Sequence, residues 1–152
     1  MKVLELRRHA RRDPAADRLS AEGRAQAEDL GRSLTGAFDA VFTSPAQRAA
    51  ETVAWILRGM HAQLPSHHGI VPGLAGQGTD GSPGQLARVI SELLDAIADG
   101  GRALAVSHTP IVEKATEGLT ARRIEPLAEL DGVRLTIGED GSIDVRELRG
   151  GA

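Results

Sequence analysis

The chain has 152 residues, 41% hydrophobic and 26% charged, a globular balance with enough length for one core. Aromatic residues make up 2% and the formal net charge is −3; this argues against base stacking on single-stranded nucleic acid and against a chain-wide trap for polyanions, so any anion site must be local. Cysteine is absent, which excludes disulfides, thiolate catalysis and cysteine-ligated zinc.

In chain order, Val3 to Arg8 reads as a first strand that begins apolar and ends polar. Arg11 to Arg18, with Asp13-Pro14, reads as loop. Ser20 can cap a helix to about Leu34, with Ala27, Leu30 and Leu34 on one face and Gly36 closing it. Ala40 to Thr43 is a second short strand. Ser44-Pro45-Ala46-Gln47 has the form of a capping box, which places the N-cap of the next helix at Ser44. Gly59 to Gly81 is broken by glycine and proline and reads as a long loop with room for a short strand. Ser82-Pro83 opens the clearest amphipathic helix, through Leu86, Val89, Ile90, Leu93, Leu94 and Ile97. Ala103 to Ser107 is a buried-type strand, and Thr109-Pro110 opens a helix to about Gly118. Val133 to Ile137 and Ile143 to Leu148, joined by Gly138-Glu139-Asp140-Gly141, read as a closing hairpin.

Alternating strands and helices predict an α/β fold. The expected form is a three-layer sandwich: a mostly parallel central sheet, helices on both faces, and an antiparallel strand near the C-terminus. Residues 1–152 are taken as one domain. Charge interrupts the first residues too early for a signal peptide or a membrane span, so a cytoplasmic protein is expected. Ligands of such sheets bind beyond the carboxyl ends of the strands. That rule selects three junctions: Arg8-His9, Ser44 to Arg48, and Ser107-His108. Two arginines, two histidines and two helix N-termini would there form a phosphate pocket. Arginine suits phosphate because its planar fork donates paired hydrogen bonds and keeps its charge. A neutral imidazole can attack phosphorus if its other nitrogen is held by an acceptor. A second, protonated histidine would stabilise charge growing on the oxygens.

Leu6-Arg7-Arg8-His9-Ala10 resembles the Arg-His-Gly or Arg-His-Ala signature of the histidine phosphatase superfamily, which includes the phosphoglycerate mutases. Leu19 to Ala27 is similar to its Leu-Thr-x-x-Gly-x-x-Gln-Ala helix start. Phe42 to Thr52 is similar to its Ser-Ser-Pro-x-x-Arg-Ala-x-x-Thr segment, and Val106 to Pro110 to its Val-x-His-x-Pro segment. The short length and the Arg-His-Ala form are most similar to the SixA-type phosphohistidine phosphatase branch. The resemblance implies a phosphatase without metal or other cofactor. By its motifs His9 would be the nucleophile, Arg8 and Arg48 would bind phosphate, and His108 would be the second histidine. Ala10 stands where glycine is commoner, so a negative φ is expected there.

Mutases and broad phosphatases of this family usually place a glutamate proton donor where this chain has Gln63 to Gln85. Asp80 is the only carboxylate in that stretch. An alkoxide leaving group needs a proton, whereas imidazole is a far weaker base. Phosphohistidine protein is therefore the expected substrate, or another small phosphorylated compound. The alternatives are a phosphomonoesterase with Asp80 as donor, or a phospho-ligand binding module with little turnover. Asp80 also reads as an ordinary turn residue. His61, His67 and His68 lack rigid ligand spacing and are read as surface residues, so no metal site is expected. Ser44 is read as a cap, and Glu113 as solvated or paired. Glu5 and Arg7 share one strand face, where a mutual ion pair would suit them. No nucleic-acid or membrane partner is expected, and a monomer is.

Overall fold

The strand–helix alternation sets up a six-stranded sheet, which a computed structural model describes over residues 1–150. The strands are β1 (Lys2–Arg8), β2 (Ala40–Thr43), β3 (His67–Ile70), β4 (Arg102–Ser107), β5 (Gly132–Ile137) and β6 (Ile143–Leu148). Their order is β3-β2-β4-β1-β5-β6. The first four pair in parallel, while β5 is antiparallel to both β1 and β6. The helices are α1 (Ala21–Ser33), α2 (Gln47–Gly59), α3 (Pro83–Ala96) and α4 (Ile111–Thr120).

Side-chain alternation along the strands builds the two faces. Leu4, Leu6, Ala103, Ala105, Val133 and Leu135 pack with Leu86, Ile90 and Leu93 of α3 and Val112 and Ala115 of α4. On the opposite face Val41, Leu104 and Val106 pack with Leu30 of α1 and Ala49, Val53 and Ile56 of α2. The result is the three-layer α/β sandwich expected. Helices α1 and α2 cross with their backbones in contact. A Cβ on Gly31 would lie 2.1 Å from the Ile56 carbonyl oxygen, and one on Gly59 2.0 Å from that of Glu28.

Ser20 and Ser82 cap α1 and α3 as read, accepting from Gly23 N and Gln85 N. The start of α2 differs. Its N-cap is Ala46, not Ser44, and no side chain within the helix start caps it. Pro45 and Ala46 carry the chain two residues further before the helix begins, which frees the Ser44 hydroxyl for another role. The Gly59 to Gly81 stretch is also more ordered than its composition suggests. It holds the edge strand β3 and a 3-10 turn at Pro72–Ala75, whose Leu74 is fully buried.

Glu5 and Arg7 are both fully buried and paired at 2.9 Å. Arg102 approaches the second Glu5 oxygen at 2.7 Å, and Arg7 Nη1 donates to the Leu130 carbonyl at 3.0 Å. Burial alone would raise the Glu5 carboxyl, but the Arg102 hydrogen bond and the Arg7 charge outweigh it, and the net direction is down. A polar pair thus occupies the central strand and ties it to the chain preceding β5. No helix among the described residues is long and apolar enough to cross a membrane.

Candidate active site

The parallel register brings three strand ends level. Arg8 of β1 lies beside Ser107 of β4, and Thr43 of β2 beside Val106. His9 N donates to the Ser107 carbonyl at 3.0 Å and Ser44 N to that of Val106 at 3.1 Å. The residues that leave the sheet at these points open a cleft of about 500 Å³, which takes in Arg8, His9, Arg11, Arg12, Arg48, His108 and Glu129. Four residues separated widely in the sequence therefore meet: Arg8, His9, Arg48 and His108.

His9 is buried, and its Nδ1 donates to its neighbour's carbonyl, Ala10 O, at 2.7 Å. That bond places the ring hydrogen on Nδ1 and leaves the Nε2 lone pair free. Arg48 Nε points at this lone pair from 3.3 Å. Burial lowers the His9 pKa; the Ala10 carbonyl opposes this, and the charges of Arg48, Arg8 and Arg12 reinforce it. The imidazole is therefore neutral at pH near 7. Ala10 avoids positive φ, and its N–H donates to Thr52 Oγ1 at 3.0 Å. Thr52 in turn donates to the Arg48 carbonyl, so one threonine links the His9 loop to α2.

His108 stands 5.2 Å from His9, ring centre to ring centre. Arg48 Nη2 donates to its Nδ1 at 3.2 Å, so Nε2 carries the hydrogen and donates to Ser44 Oγ at 2.7 Å. This is the work of Ser44, whose oxygen also accepts from Ala46 N; the capping role read from sequence does not hold. Burial, then the Arg48 charge, then His9 push the His108 pKa down to about 4. The expected protonated partner is thus neutral in the free protein, because burial and the Arg48 charge together outweigh the opposing Asp17 carboxylate.

Arg48 is the hub. Besides touching both histidines, it pairs with Asp17 at 2.8 Å. The same carboxylate accepts from Gln47 N at 3.0 Å and Arg48 N at 3.2 Å, capping α2 from the loop before α1. A cation in a first helical turn is unfavourable alone; Asp17 supplies the opposite charge. Arg8 Nη1 donates to the Leu127 carbonyl at 2.8 Å. Its Nε is buried without a hydrogen-bond partner among the described residues, the kind of donor an anion satisfies.

Asp80 does not join this group. It is fully exposed, accepts from Ser82 N at 2.8 Å in a tight turn before α3, and is absent from the cleft wall. The hydrogen bonds of Ser82 hold its carboxyl below the usual range, the wrong direction for an acid. Glu113 is paired, its Oε2 accepting from Thr109 Oγ1 and Leu127 N. His67 and His68 lie on β3 and His61 follows α2; among the described residues no three His, Asp or Glu side chains cluster as a metal site. Sequence reasoning missed Asp17, Arg11, Arg12 and Glu129. The first three sit in a stretch read only as loop. Glu129 follows α4 in a segment without periodicity, and no sequence signal pointed to it.

The sequence model of the histidine phosphatase superfamily (branch 1) matches residues 5–71. The matched segment is thus similar to the histidine phosphatase superfamily, and the α/β fold agrees with that likeness. Among solved structures, the protein histidine phosphatase SixA complexed with tungstate is 22% identical, with 97% of this chain and 96% of that one covered at TM-score 0.75. Phosphoserine phosphatase of Entamoeba histolytica is 17% identical over 99% and 98%, TM-score 0.76. The alpha-ribazole phosphatase of Shigella flexneri is 20% identical over 99% and 97%, TM-score 0.76. At these identities the likeness is one of fold, and the SixA type is among the folds it matches. No curated protein matches the chain. Together the family match and the phosphatases sharing the fold support a phosphatase.

Proposed function

We propose that this protein hydrolyses a phosphoryl group in two steps through a phosphohistidine on His9. The observation that carries the reading is the His9 ring itself. Its Nδ1–H is committed to Ala10 O, and its unprotonated Nε2, which accepts from Arg48 Nε, faces a cleft lined by Arg8, Arg48 and His108. In the first step the Nε2 lone pair forms a bond to phosphorus, and the bond from phosphorus to the leaving group breaks. Arg8 and Arg48 hold the transferring oxygens in charge-assisted hydrogen bonds. Substrate oxygens displace Arg48 from both His9 Nε2 and His108 Nδ1; the first nitrogen is then free to attack, and the second takes a proton from solvent and donates to the phosphoryl group. In the second step water attacks phosphorus, the Nε2–phosphorus bond breaks, and inorganic phosphate leaves.

The substrate class is a phosphohistidine protein or a small phosphorylated compound. SixA was solved with tungstate, a tetrahedral oxyanion of phosphate shape, and the four converging side chains here suit the same shape. The reading takes residues 1–152 as one metal-independent, cytoplasmic domain acting as a monomer. Asp80 is set aside as donor on its position outside the cleft. The test is to trap the intermediate with an aryl phosphate and acid or alkali quench. An acid-labile, alkali-stable phosphoryl group is expected on the wild type and none on His9→Ala. A label that persists in His9→Ala, or that survives acid, overturns the mechanism.

A further inference from the structure

We infer that Glu129 is the proton donor to the leaving group and the proton acceptor for the attacking water, which extends the substrate class to phosphate esters of basic alcohols. The inference rests on the His9 reading above. Among the described residues that line the cleft, Glu129 is the one carboxylate. The two carboxylates nearest to it in role are already committed: Asp17 to Arg48 and the α2 N–H groups, Glu113 to Thr109 and Leu127. Glu129 is held only loosely, with Oε2 3.9 Å from Arg8 Nη1 and a side chain 35% exposed. It lines the cleft with no short side-chain bond to hold it back.

The backbone beneath it is the opposite of loose. Leu130 N donates to the His9 carbonyl at 3.1 Å, Arg8 N to Asp131 O at 2.9 Å, and Gln26 Nε2 to Glu129 O at 3.3 Å. The buried Arg7 grips Leu130 O. Leu130 itself, 2% exposed, sits at φ 71°, where a branched side chain is strained. A strained residue pinned from several sides marks a position the fold over-determines. What it determines here is the carboxylate beside the phosphate site.

A carboxylate weakens anion binding by like-charge repulsion, so binding alone does not call for it. Proton transfer does. As His9 Nε2 bonds to phosphorus and the ester P–O bond breaks, the Glu129 carboxyl passes a proton to the departing alkoxide oxygen. The carboxylate then takes a proton from the attacking water as the P–N bond breaks, and the acid form is restored.

The test compares wild type and Glu129→Gln on nitrophenyl phosphate and on an alkyl phosphate, with vanadate binding as the check on the folded cleft. The loss of kcat should grow with leaving-group basicity, from under about tenfold on the aryl ester to at least about 100-fold on the alkyl ester. Vanadate should bind the variant at least as tightly as the wild type. Equal losses on both esters, no loss on the alkyl ester, a wild type unable to cleave the alkyl ester, or lost vanadate binding each overturn the role of Glu129 alone. A wild type that turns over neither ester nor a phosphohistidine protein overturns the His9 reading and this inference with it.

Discussion

His108 must stay neutral in the free protein, and acid therefore works against the fold. Its pKa is pushed down to about 4 in the folded chain, against about 6.5 for an unperturbed histidine. A lowered folded value means stability that is complete above the unfolded pKa and lost as pH falls toward the folded one. Between about pH 7.5 and pH 5 the unfolded imidazole takes up nearly a full proton and the folded one about a tenth, which amounts to about 2 kcal/mol. His9 is lowered in the same direction and adds to the loss. Asp17 and Glu5 are lowered carboxylates whose contribution is present above the unfolded carboxylate range and lost below it, largely outside this window. Urea denaturation of wild type and His108→Asn at both pH values isolates the contribution of His108. The wild type should lose about 2 kcal/mol more than the variant on acidification. Sulfate, a dianion throughout this range, should recover part of the loss in the wild type by drawing a proton onto His108. A difference between the two proteins that does not change with pH would refute the claim that His108 is neutral and buried against Arg48.

Asp17→Ala removes the carboxylate that accepts from Gln47 N and Arg48 N and pairs with Arg48. Loss of a cap of this kind is expected to cost about 1 kcal/mol in chemical denaturation, and the loosened Arg48 should raise KM for an aryl phosphate. Glu5→Gln leaves Arg7 and Arg102 facing a neutral group in the central strand, with an expected cost of about 3–5 kcal/mol. Replacing Glu5 and Arg7 together by leucine should recover much of that stability, since the buried charges then vanish together; a double variant no more stable than Glu5→Gln would contradict the account of the pair.

Much of this protein was written into its sequence. Strand and helix periods are local properties, so β1, β2, β4, the α3 stripe from Leu86 to Leu94 and the closing hairpin could all be read from side-chain alternation and turn residues. A mostly parallel sheet then followed from the strand–helix alternation, and the rule that ligands bind beyond the strand ends picked out Arg8, His9, Arg48 and His108; the strand order itself came only from the structure. Only the tertiary structure decided which protons and charges those residues carry. Ser44 became a partner of His108 rather than a cap because the chain runs two residues further before α2 begins. His108 became neutral because burial and Arg48 act on it together. Asp17 and Glu129 entered the site from irregular segments, where no period reports direction. Electrostatic environment depends on distances across the fold, and those distances exist only once the sheet has brought its strand ends level.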